Sequence, residues 1–193
     1  MMEFSKKEII NMNDSDFLLT KAKIINKVQK LMELTREELV QFVNSSNYSF
    51  PEGIDLTTGK ISRGENYLNL PYMVLDYPAY FKAENIFAFR TMFWWGNFFS
   101  STLHLEGDSL EKAREKLSAK IEELTGKQVY ICTGETPWQY HYGKDNYEIL
   151  TQDHFDFINK CRLLKISKKI DINDWKILPQ FSRDFLELLL NYL

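Results

Sequence analysis

IFAFRTMFWWGNFFSSTLHLE, residues 86–106, carries the densest run of aromatic side chains in the chain. Strand formers crowd both arms and Gly96-Asn97 lies between them as a two-residue turn signal, so the stretch reads as a central β-hairpin. With a type II′ turn, Trp95 faces Phe98 and the register follows by counting outward. One face then holds Ile86, Ala88, Arg90, Met92 and Trp94 opposite Phe99, Ser101, Leu103 and Leu105. It is apolar apart from Arg90 and Ser101, and is expected to pack under helices. The other holds Phe87, Phe89, Thr91, Phe93 and Trp95 opposite Phe98, Ser100, Thr102, His104 and Glu106. A one-residue slip in either arm would exchange that arm's two faces.

Arg90 is the odd residue on the apolar face. A buried guanidinium keeps its charge and needs carboxylate or carbonyl partners, for which Asp76 and Glu65 are the candidates. Two roles stay open for it: an ion pair that fixes strand order, or an anion-binding arginine in a pocket.

Outward from the hairpin, Pro71–Pro78 reads as a strand with a proline at each end, giving an antiparallel meander. Upstream, SSNYSFPEG, TTGK and SRGEN make residues 45–70 turn-rich, with a polar, flexible tip at 62–66. Arg63 and Glu65 on that tip are candidate binding residues. From Asp14 to about Asn44 apolar residues recur at helical spacing, and the capping-box pattern from Thr35 to Glu38 divides them into two helices near Glu33–Thr35. Downstream, Leu110, Ala113, Leu117, Ile121 and Leu124 mark a helix over 108–126, opened by Asp108 and Glu111 and closed by Gly126. Short strands at Gln128–Cys132 and Tyr147–Leu150 and a helix at Thr151–Cys161 follow. Residues 182–193 form an apolar helix that either docks into the core or makes a homodimer seam.

The expected fold is α+β: an antiparallel sheet of about five to seven strands, a helical pair at about 14–45, and further helices mainly on one face. The chain reads as one domain, 1–193, with a sheet-containing body at about 54–178. At 193 residues it is long enough to bury a core without disulfides or metal. A net charge of −3 and the lack of a dense Lys/Arg cluster speak against nucleic acid as a partner. No run is apolar enough to span a bilayer and no signal peptide is evident, so the expected location is cytoplasmic. Cys132 and Cys161 form no metal-ligand spacing. GKISRG lacks the phosphate-loop order, and Pro137 opens no zinc-deaminase cysteine pair, so no cofactor is expected.

Two functional readings remain. The first is a ligand- or partner-binding module. In it the mixed hairpin face, with Trp95, His104 and Glu106, joins the Trp138, Tyr140 and His141 loop to line a concave aromatic surface. The second is an enzyme using His104, Glu106 and His141, since His104 and Glu106 share one strand face and two histidines with a carboxylate can hold a catalytic metal.

Overall fold

The structure, a computed structural model, describes residues 2–82, 84–134 and 136–193. The fold is α+β, built on a seven-stranded antiparallel sheet of order β1-β2-β3-β4-β7-β5-β6. Strands β1 (Lys60–Tyr67), β2 (Leu70–Lys82), β3 (Asn85–Trp94) and β4 (Phe98–Glu106) form a continuous meander. Then come β5 (Tyr130–Cys132), β6 (Tyr147–Ile149) and β7 (Leu163–Asp171), which pairs with both β4 and β5. The predicted hairpin is therefore the middle of the sheet.

Its register differs by one residue from the expectation. Trp94 pairs with Phe98, so the loop is Trp95-Gly96-Asn97, with Gly96 at φ 72° and the Asn97 N–H donating to the Trp94 carbonyl. One arm slips against the other and exchanges faces. Phe87, Phe89, Phe93, Phe99, Leu103 and Leu105 now share the main core with the helices. Arg90, expected on the helix-covered face, lies on the other face with Ser100, Thr102 and His104.

Helices α1 (Lys6–Asn13) and α2 (Ser15–Ser45) precede the sheet. Two N-terminal helices are thus present, but they divide at Asp14, whose carboxylate accepts from the Phe17 N–H. The expected break near Thr35 is absent. Thr35 is buried mid-helix and its hydroxyl donates to the Leu31 carbonyl, one turn back. Buried positions on α2 run only from Val28 to Val43, and every residue from Met2 to Thr20 is exposed.

Residues 62–66, expected to be a flexible tip, belong to β1; the turn is Leu68-Asn69, at φ 48° and 65°. β2 also runs past Pro78, absorbing it at a register shift between Asp76 and Ala79. Helix α3 (Asp108–Ala119) starts without the expected Asp108–Glu111 capping box. Gly107 precedes it at φ 59°, the Ser109 N–H donates to Asn85 Oδ1, and Glu111 pairs instead with Arg114. The helix breaks at Lys120 before the short α4 (Ile121–Leu124). Helix α5 (Phe155–Lys160) leads into β7, and a 3-10 turn at Ile172–Ile177 leads into α6 (Leu178–Leu190). Of the two roles open to the C-terminal helix, its burial fits docking: Leu178, Phe185, Leu186 and Leu189 all join the main core. Among the described residues no helix is long and apolar enough to cross a membrane.

Candidate functional site

The sheet face opposite the helices is covered by the segment between β5 and β6. Val74, Met92, Trp94 and Phe98 form a small apolar cluster there, closed by Tyr140, which is 4 % exposed. The concave aromatic surface expected from the sequence is packed shut. The sheet and the loop do meet, but the ring of Tyr140 fills the space between them.

Beneath that ring lies a layer of charge. Arg90 donates from Nε to Asp76 Oδ1 at 2.6 Å and through a second nitrogen to Oδ2 at 2.8 Å, a bidentate pair between register partners on β2 and β3. Its guanidinium carbon stands 4.9 Å from the centre of Tyr140. Burial works against the Arg90 charge, but the Asp76 bonds more than offset it and raise its pKa. Lys165, fully buried on β7, approaches the same Tyr140 ring at 4.7 Å and donates to the carbonyls of Thr136, Pro137 and Gln139. Burial pulls the Lys165 ammonium below the usual lysine range and pushes the Tyr140 phenol up to about 12. A lysine held by three carbonyls ties down the covering segment; it is not presented as a nucleophile.

His104 pairs across the strands with Lys165 and is 1 % exposed. Burial, reinforced by the charges of Lys165 and Arg90, pushes its imidazole down to about 3. The ring is neutral at pH 7, so Nε2–H donates to Glu106 Oε1 at 2.7 Å. Nδ1 is left without a hydrogen-bond partner among the described residues. Burial raises the Glu106 carboxyl above its ordinary value.

His141 lies elsewhere. Its Nδ1 is 3.1 Å from the Tyr67 hydroxyl and its Nε2 is 3.1 Å from Asp145 Oδ2. His104 and Glu106 are brought together, and His141 is not. Among the described residues no group of three His, Cys, Asp or Glu side chains could hold a metal ion. Arg63, Glu65 and Trp95 share a crevice of about 10 Å³ beside β1, room for about one water. Glu65 pairs with Lys21 at 2.7 Å, and Trp138 is exposed, 57 %.

Compared with protein-family models, with curated proteins and with solved structures, the chain finds no match.

A different space has the dimensions of a binding site. It encloses about 530 Å³ between α2 and the tip of the β3–β4 hairpin, inside the range of roughly 300–1,000 Å³ typical of ligand sites. Ile24, Val28 and Leu31, at helical spacing, form one wall; Phe93 and Phe99 contribute from the hairpin, and Ile172 and Trp175 from the 3-10 turn. Leu34 and Trp175 stand half in solvent, at 55 % and 48 % exposure. Among the described residues, the only charged ones in the lining are Lys27 and Lys30. Sequence reasoning missed this groove. The α2 stripe was visible, but a helix stripe signals burial without saying that part of it stays open. Nothing local joins it to Trp175, which lies far along the chain.

Proposed function

We propose that the protein is a binding module that accepts the apolar part of its ligand or partner in the groove between α2 and the β3–β4 tip. One observation carries the reading: an apolar, open groove with solvent-exposed large side chains on its rim and, among the described residues, no acid in its lining. Exposed apolar concavities of this kind mark sites of association in folded proteins. The enzymatic alternative has less support, because His104 and Glu106 stand apart from His141.

The test uses N-phenyl-1-naphthylamine, a neutral apolar dye that fluoresces when bound. Saturable binding at one dye per chain is expected, and Leu34→Glu should weaken it at least tenfold. Leu34 is half exposed, so that charge is placed at the rim without entering the core. No saturable binding, or binding indifferent to Leu34→Glu, would remove the groove reading.

A further inference from the structure

We propose that the occupant of this groove is an amphipathic α-helix of another protein, apolar on one face and acidic along its flanks. The inference rests on the groove reading above and adds the chemistry of the partner.

The apolar surface does not stop at the groove. Phe17, two turns before Ile24 on the same side of α2, is more than half exposed and continues the groove's apolar wall. From Phe17 to Leu34 the strip runs about 25 Å at 1.5 Å per residue. That length suits several turns of a helix laid along α2, reading Ile24, Val28 and Leu31 at i, i+4 and i+7. A compact small molecule would leave most of the strip in water and much of itself uncovered, since its site is open along the rim.

Charge selects the kind of helix. Between Phe17 and Leu34 the chain carries Lys21, Lys23, Lys27 and Lys30 against one acidic residue, Glu33, whose side chain accepts from Gln29. Lys21 is bonded to Glu65, whereas Lys27 and Lys30, on the groove itself, have no ion-pair partner among the described residues. Glutamate or aspartate flanking the apolar face of an incoming helix would meet them at the rim. The same lysines argue against a second copy as occupant, because the groove lining of each copy offers Lys27 and Lys30 and, among the described residues, no acid to meet them.

The experiment titrates the whole protein with two labelled peptides of about 18 residues, long enough to form several helical turns. One has leucines at heptad positions and glutamates on the flanks, and its counterpart has lysines in place of the glutamates. Binding is read by anisotropy, and independently by Trp175 emission with Trp175→Phe as control. The glutamate peptide should bind at least tenfold more tightly at low salt, and the double variant Lys27→Glu, Lys30→Glu should reverse that preference. Both lysines are exposed, so the variant is expected to fold, and circular dichroism verifies it. Equal affinity for both peptides overturns the inference. So does binding of dodecanoate in place of either peptide, or concentration-dependent dimerisation abolished by Leu34→Glu. If the dye enters the groove and neither peptide binds, the helix fails while the groove reading stands. If Leu34→Glu affects neither dye nor peptide, both fail.

Discussion

Removing the charge of Asp76 should destabilise the protein severely. The side chains of Asp76 and Arg90 are only 8 % and 14 % exposed, and their bidentate bonds are 2.8 Å or shorter. Asp76→Asn keeps the shape and one acceptor but leaves a buried guanidinium without a counter-charge. Breaking a buried pair from one side costs roughly 3–5 kcal/mol. Tyr140 remains stacked on the guanidinium, and one acceptor survives, so the lower end, about 3 kcal/mol, is expected. For a chain of this length that lowers Tm by roughly 6–12 °C. Urea unfolding measures it directly, as a fall in midpoint with an unchanged slope. Two comparisons isolate the cause. Replacing both partners together, Asp76→Leu with Arg90→Met, should recover much of the loss, because no charge is then stranded. Glu65→Gln breaks a pair of similar length, 2.7 Å, whose side chains are 28 % and 62 % exposed, and should cost no more than about 1 kcal/mol. If Asp76→Asn costs as little as Glu65→Gln, the argument from burial is wrong.

His104 should impose a pH dependence. Its folded pKa of about 3 lies below the roughly 6.5 of an unfolded histidine, so below pH about 6.5 the unfolded chain takes up a proton that the folded one refuses. Stability is then fully present above that pH and falls by up to about 1.4 kcal/mol per unit as pH drops toward 3. His104→Gln should flatten the acid limb of a stability–pH profile measured by urea, and an identical slope would refute the assignment. Gly107→Ala should cost at least about 2 kcal/mol, since φ is 59° and a Cβ would overlap the Glu84 carbonyl oxygen. Gly96→Ala, at φ 72° with nothing within 4 Å, should cost only about 1 kcal/mol; equal thermal shifts for the two would show that contact at Gly107 is not the cause.

The sheet was legible because its signals are local. A dense run of aromatic residues with Ile86, Thr91 and Thr102 among them marks β3 and β4, and Gly96 marks their junction. The hairpin faces were not, because one residue more in the loop exchanges an arm's faces and the turn dipeptide does not count loop residues. With the slip, Thr91 joins Ser101 in the helix-facing core, where Ser182 of α6 meets both hydroxyls, at 3.4 Å and 2.9 Å. That partner lies on the last helix, and no window around the hairpin reveals it. The Asp76 partner of Arg90 was foreseeable from the meander alone. Lys165 was not: a strand lysine reads as solvent-facing until the segment supplying its three carbonyls is known to fold over it.

The placement of the groove follows from how each sheet face is closed. On the Arg90 side, closure is polar and specific, with one carboxylate for the guanidinium, three carbonyls for the ammonium and one ring between them. Admitting a ligand there would strand charges whose desolvation is tolerable only when paired. On the other side, closure is by apolar contact, and it ends where α2 leaves the sheet. Lys21 still bonds Glu65 on β1 and Ile24 and Ile25 still pack on the core, whereas the residues from Ser15 to Thr20 are all exposed and extend about 9 Å beyond Lys21 at helical rise. Packing against the sheet gives no reason for this overhang to carry Phe17, Leu18 and Leu19. A helix needed only to cover the core would place polar residues there, at no cost in stability and some gain in solubility. Phe17 lies two turns before Ile24 on the groove side of α2, and Lys27 and Lys30 line the groove itself; the acidic amphipathic partner proposed above would account for the open groove and its lysines together.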